Sequence, residues 1–203
     1  MRASLRGALM GLAGLLLVAY WVMSASGCAS SGIALFDLEP SKGGRASFEQ
    51  EGITLEAVYM DVGERTQYLV DRGREQLAIG LRPVNLATFV IMVRNGSGRE
   101  VVVDPSGIRL VVGFGPTLSP LSYAHIYMEL AQGAGRQRVL QELQGVVLER
   151  PVTVMPGDTM EQILLFSRPE QVAEEVVVLF SGLYVAGRSL EAVLSFRAVS
   201  LED

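Results

Sequence analysis

The sequence predicts a mostly β protein: a β-sandwich with a short helical insertion at about residues 120–149, preceded by a cleaved signal helix. Three observations carry this. Apolar and polar residues alternate over strand-length runs, turn residues punctuate those runs at short intervals, and one stretch switches to helical spacing. The expected organisation is a signal peptide at 1–27, a tether and first strand at 28–50, and the sandwich with its insertion at 51–203.

The chain opens with Met1-Arg2-Ala3-Ser4-Leu5-Arg6, two positive charges and no negative one; Gly7 to Met23 is uncharged, and Ser24-Ala25-Ser26-Gly27 places small residues directly before Cys28. A positive start, an apolar middle and a small-residue exit are the parts of a secretory signal. With Cys28 at the exit, the segment resembles the lipobox signal of bacterial lipoproteins. Where that family favours Leu at the third position before the Cys, this chain has Ala25. The resemblance covers the first 28 residues and implies cleavage before Cys28 once its thiol carries diacylglycerol. Each buried methylene contributes about 0.8 kcal/mol, so two or three acyl chains hold to a bilayer where one is marginal. Ala29 follows, with no Asp retention signal, and the same resemblance then favours the outer over the inner membrane. Two plainer readings stand beside this one. The apolar run could remain as an uncleaved span, since spans begin at roughly 17 residues, or Cys28 could be an incidental thiol. Its position argues for the lipoprotein reading: the only Cys in the chain falls where the lipobox needs it.

Removing residues 1–27 takes away Arg2 and Arg6 and no acid, leaving a net charge near −7. Nucleic-acid binding rests on neutralising phosphates, so an acidic domain has no footprint for it. Nor is there a basic patch for anionic headgroups. With Cys28 acylated, no thiol remains for a disulfide, and the fold stands on packing. The mature length suffices for one domain with a sizeable core.

Ala29 to Gly32 reads as a short tether, Ile33 to Leu38 as a first strand and Ser41-Lys42-Gly43-Gly44 as a turn. Ile53 to Tyr59 has apolar residues at the odd positions; Leu190, Ala192, Leu194 and Phe196 line one face of another alternating run. Period two over this length is a half-buried strand. Between them, Ala87–Arg94, Glu100–Val103, Ile108–Val112, Val152–Met155, Met160–Phe166 and Val176–Phe180 are apolar runs of strand length. Asn95-Gly96-Ser97-Gly98 stands at hairpin spacing. Asp104-Pro105-Ser106-Gly107 has the residues of a type I turn, and Met155-Pro156-Gly157-Asp158 those of a type II turn.

Two stretches break the β rhythm. Gly63 to Arg74 is compatible with a short helix around Tyr68 and Leu69. In the larger one, Tyr123, Ile126, Tyr127 and Leu130 recur at helical spacing, Gly133-Ala134-Gly135 interrupts, and Val139, Leu140, Leu143, Val146 and Val147 resume it with Arg136, Arg138, Gln141 and Glu142 outward. This predicts two short helices inserted between strands.

The run Phe89-Val90-Ile91-Met92-Val93-Arg94-Asn95-Gly96-Ser97, then Val101 to Leu110 through Asp104-Pro105-Ser106, is similar to the core of secreted Ig-like bacterial lipoproteins of unknown function, as is the later Pro156-Gly157-Asp158 before Leu164-Leu165-Phe166. The likeness spans roughly residues 85–166. It implies an Ig-like sandwich and, because its motifs are turns and strands, carries no site with it.

His125 is the only histidine, between Tyr123 and Tyr127, and no Gly-x-Ser-x-Gly elbow marks a nucleophile for it. One His and no free Cys make a zinc site improbable on ligand number. The Gly pairs 96/98, 113/115 and 133/135 never reach phosphate-loop spacing. The expectation is therefore no catalytic residue, no metal and no cofactor. The leading functional reading is an envelope binding or structural module, partnered by the bilayer through acylated Cys28 and by an envelope protein. Long insertions in compact domains tend to carry function, which makes Tyr127, Arg136 and Arg138 the candidate partner-binding residues. The alternatives are a packed lid, and a carrier of an apolar molecule in a cavity between sandwich and insertion.

Replacing the acylated atom tests the anchor. Cys28→Ser is expected to give an unacylated, unprocessed precursor by mass spectrometry of the membrane fraction; a membrane-bound wild-type chain with intact, unmodified residue 28 would end the lipoprotein reading.

Overall fold

The computed structural model describes residues 36–40, 45–115, 117–130, 136–169 and 173–200, without the side chains of 36–40, 136 and 198–200. The signal segment, Cys28, the predicted turn at 41–44 and the glycine break at 133–135 lie outside the described residues.

Two antiparallel sheets make the fold mostly β. The smaller has the order β2 (Ala46–Gln50), β3 (Ile53–Met60), β4 (Leu86–Asn95), β9 (Thr159–Ser167). The larger runs β1 (Phe36–Pro40), β11 (Arg188–Ser200), β10 (Glu175–Val185), β5 (Val101–Val103), β8 (Val152–Val154), with β6 (Ile108–Val112) also on β10 and β7 (Thr117–Leu118) on β6. The described helices are α1 (Val62–Asp71), α2 (Glu75–Leu81), α3 (Tyr123–Glu129) and α4 (Arg136–Leu143). The predicted strands fall within these bounds or a few residues from them; β2, β7 and α2 go beyond the prediction.

Alternation sets the core between the sheets. Ile53, Leu55, Ala57 and Tyr59 of β3, Phe89, Ile91 and Val93 of β4, and Leu164 and Phe166 of β9 meet Val176, Val178 and Phe180 of β10 and Leu190, Ala192, Leu194 and Phe196 of β11. Phe89 is the aromatic centre, edge-on to Tyr59, to Phe166 and, across the sheets, to Phe196 at 5.2 Å between ring centroids. The smaller sheet is buried on its other face too. Leu86 and Val90 of β4 and Ile163 and Leu165 of β9 pack under Leu69, Leu77, Leu81, Ile126, Leu130, Val139, Leu140 and Leu143 from all four helices. Burial on both faces is why β4 reads as a continuous apolar run instead of an alternating one.

The insertion also covers an edge. β9 is an edge strand, and an open edge invites foreign strands. Leu121 N–H donates to Leu165 O at 2.7 Å, Leu148 N–H to Ile163 O at 2.9 Å, and Ile163 N–H to Val146 O at 2.8 Å. The insertion thus begins and ends along β9.

One predicted turn is corrected. Asn95-Gly96-Ser97-Gly98 does not close a hairpin: β4 belongs to the smaller sheet and β5 to the larger, so the chain crosses between sheets there. Pro156-Gly157 makes the type II turn expected, with φ +84° at Gly157 and Asp158 N–H donating to Met155 O at 3.0 Å, but it too joins different sheets, β8 to β9. The true tight hairpins are at Glu51-Gly52 and Ala186-Gly187, where both central residues have positive φ as a type I′ turn requires. At Asp104 the side chain accepts from Ser106 N–H at 2.8 Å and opens a 3-10 turn, Pro105–Gly107, between β5 and β6. Both strands lie on β10, which stays continuous past the interruption because Gly182 abuts Gly107 and the Asp104 carbonyl with no side chain between.

The two crossings meet at Asn95, which is buried. Its amide nitrogen donates to Arg99 O at 2.6 Å and Val154 O at 2.8 Å; its side-chain oxygen accepts from Ser97 N–H and the Ser97 hydroxyl at 3.0 and 2.7 Å. Its backbone N–H donates to Asp158 O and its carbonyl accepts from Gly157 N–H. Buried polar groups left without partners cost about 1–3 kcal/mol each, so Asn95→Ala is expected to destabilise by about 2–4 kcal/mol. Asn95→Asp should also destabilise at neutral pH, since a carboxylate would face two carbonyl oxygens. Denaturant unfolding measures both, and wild-type midpoints would mean the crossings hold without the amide.

Candidate functional site

The helices form one layer on the outer face of the smaller sheet, held by polar side chains as well as by apolar packing. α1 starts at a capping box: Asp61 accepts from Glu64 N–H and Glu64 accepts from Asp61 N–H. On the same helix Arg65 is only 1% exposed. Its guanidinium donates to the Thr88 hydroxyl at 3.0 Å, to Leu81 O at 2.8 Å and to Val84 O at 3.5 Å. Burial pushes its pKa down from the usual value, and nearby Arg168 adds to this, while Tyr59 and Asp61 oppose it. Guanidinium does not deprotonate in the accessible range, so the charge stays. What it faces is the carbonyl end of α2, the negative end of that helix. The opposite end of α2 is held by α4, whose Glu142 accepts from Leu77 N–H at 2.8 Å.

A second cluster is at the surface of the layer. Tyr68 donates to Glu161 Oε1 at 2.8 Å, Arg72 pairs with the same oxygen, and the Arg72 guanidinium carbon stacks 3.6 Å from the Tyr68 ring centroid. Partial burial, then the Glu161 carboxylate, raises the Tyr68 phenol above its ordinary pKa. Glu161 is on β9, so this cluster pins α1 to the sheet.

Of the residues singled out from the sequence, Tyr127 is on α3 and 42% exposed, and Arg138 is exposed on α4. Arg136 opens α4, its side chain outside the described residues, and Cys28 lies outside them altogether. The structure therefore puts Tyr127 and Arg138 in one layer, on its outward side, while Ile126, Leu130, Val139, Leu140 and Leu143 face the sheet. The same helices also expose two apolar residues not picked out from the sequence, Met128 at 76% and Ile79 at 66%. Gly80, next to Ile79 in α2, packs so closely on Val139 and Leu130 that a side chain there would crowd them. Helical spacing would have found Met128; Ile79 required knowing that α2 exists. Arg65 had a signal too, since it stands four residues before the buried Leu69, on the apolar face of α1.

His125 is exposed and its Nδ1 lies 3.0 Å from the Ser122 hydroxyl, the N-cap of α3, which also accepts from His125 N–H. This is a capping arrangement. Among the described residues no acid orients the ring, and none gathers three metal-ligating side chains. No described helix is long and apolar enough to cross a membrane. An open cleft of about 590 Å³ lies away from the helices, at the end of the larger sheet, lined by Val112, Gly113, Phe114, Gly115, Ala173, Glu174 and Glu175.

No protein-family model matches the chain, and no curated protein does. Among solved structures it is similar to the YjhA protein from Bacillus subtilis. The two share 11% sequence identity, with 67% of this chain and 77% of that one covered and a TM-score of 0.38.

The caps on α2 give a stability test. Arg65→Met keeps much of the volume but strips the donors from Leu81 O, Val84 O and Thr88. At about 1–3 kcal/mol per orphaned group, partly offset because a buried charge is also removed, a net loss of about 2–3 kcal/mol is expected. Thermal unfolding reads it; a more stable variant would mean the carbonyls find other donors.

Proposed function

We propose that the chain is a lipid-anchored envelope protein, held to the bilayer through acylated Cys28, whose Ig-like domain is a binding or structural module for a protein partner or membrane assembly. Strand order supports the Ig-like reading. β3-β4-β9 and β11-β10-β5/β6 follow the A-B-E and G-F-C orders of that fold, and β7 and β8 flank the C position as a C′ strand does. The helices between β3 and β4 and between β7 and β8 are additions to this plan.

The observation that carries the binding role is the two-sidedness of the helical layer. Its apolar stripes close on the sheet, yet Ile79, Tyr127, Met128 and Arg138 of the same helices stay exposed. Exposed apolar and aromatic side chains together with an arginine are the composition of a protein-docking surface. The closed packing of the insertion favours this over the alternative, an apolar-ligand carrier with a cavity beneath the insertion. The Ser122–His125 pair acts as a helix cap, so no catalytic step is assigned. Ala29 after the acylated Cys favours the outer membrane, and the acidic mature chain disfavours nucleic acid.

The test is charge reversal at Arg136 and Arg138 combined with Met128→Ser, in the lipidated protein expressed in its own envelope. Loss of a specific co-purified partner at unchanged thermal stability is expected. Retention of every partner would overturn the docking role of this surface.

A further inference from the structure

Phe114 is the most exposed large apolar side chain among the described residues, at 112% of its reference area. It stands at the tip of the loop after β6, between Gly113, whose φ is +51°, and Gly115. A single exposed apolar residue needs no explanation in itself. Its place in the fold is what matters.

The register fixes that place. Glu39 of β1 pairs with Arg197 of β11, Arg197 pairs with Glu175 of β10, and Gly113 N–H donates to Glu175 O at 3.0 Å. These residues form one row across the larger sheet. From it, β6 runs on into Phe114 toward the same end at which β1 begins, since Phe36 pairs with Ser200, three residues past Arg197. The start of β1 and the Phe114 loop thus leave the sheet at one end. Three inter-strand steps separate them, about 14 Å laterally. From Cys28 to Phe36 is eight residues of chain, which span at most about 29 Å. An acylated Cys28 therefore holds the start of β1 within about 29 Å of the bilayer, and the Phe114 loop leaves the sheet at that same end. The opposite end, where Val185 pairs with Val101 and Val101 with Val154, is about 33 Å away along β10.

We infer that Phe114 inserts into the headgroup region of the bilayer that holds the anchor, so that the domain stands on its Phe114 end; this rests on the acylated-Cys28 reading. An aromatic ring on a loop tip is suited to the interface, where its apolar face is covered and the glycines on either side let the backbone approach. At the base of the loop Glu174 and Glu175 stand with Arg197 across the row from Glu175, so this end carries no net positive charge. The contact is therefore apolar and does not depend on anionic lipid.

Trp21 is the only tryptophan and lies in the signal segment, so the mature lipidated chain has none. Phe114→Trp then provides a single reporter. In phosphatidylcholine vesicles its emission should shift to the blue and be quenched by lipids brominated near the headgroup end of the acyl chain. Adding phosphatidylglycerol should not increase the quenching. Met155→Trp, at the opposite end, should keep a water-exposed spectrum under the same conditions. If the Phe114→Trp protein floats with the vesicles but its emission stays that of an indole in water, the orientation is wrong while the anchor stands. A blue-shifted spectrum already present in detergent-free solution before vesicles are added would mean that the chain itself covers residue 114, which also overturns the proposal. A mature protein that fails to float would remove the anchor, and this inference with it.

Discussion

Two sheets can share one core only if the chain passes between them, and each passage breaks a hydrogen-bonded ladder inside the protein. Asn95 absorbs that break. Its amide nitrogen satisfies one carbonyl on each of the two crossing segments, Arg99 and Val154, while its backbone bonds the Gly157-Asp158 turn. A side chain with both donors and an acceptor is required here. The next residue, Gly96, ties this point to the β2–β3 hairpin, its N–H donating to Gly52 O at 2.7 Å. The end of the sandwich where three connections converge is thus organised around one buried amide, on the strand that also carries Phe89, the aromatic centre of the core.

The outer face of the smaller sheet imposes the second constraint. Val90, Ile163 and Leu165 cannot face water without a large apolar patch, so the fold needs a covering layer. α2 illustrates how that layer is made. At seven residues it is too short to be stable alone, and no side chain of its own caps its start. Glu142 of α4 supplies the acceptor at one end and Arg65 of α1 the donors at the other. α2 exists because its neighbours complete it. The layer is therefore a structural unit, and a partner would meet only its outward side.

Under the proposed reading, anchoring and docking occupy different surfaces. β1 begins at the end of the larger sheet where Glu174 and Glu175 lie two strands away, whereas the helical layer covers a face of the smaller sheet. A protein held by one end can present a side, and that end, with no net positive charge, is not drawn onto an anionic membrane.

Alternation and turn chemistry by themselves determined most of the strands, though not β2 or β7. The inward faces of β3 and β11, the type II turn at Pro156-Gly157 and the local cap at Asp104 are properties of neighbouring residues, so they were legible in the chain. Helical spacing likewise set Arg138 outward and Val139, Leu140 and Leu143 inward. Sheet membership was not legible, because Asn95-Gly96-Ser97-Gly98 suits a hairpin and a crossing equally. Only the partners of β4 and β5, many residues away, decide which it is. The same holds for α2, whose caps come from Arg65 and Glu142, and for Phe114, whose significance depends on which strand ends share an end of the sheet. Local sequence determines the conformations a segment can take; where several are open, the distant groups that satisfy its hydrogen bonds and cover its apolar face select one.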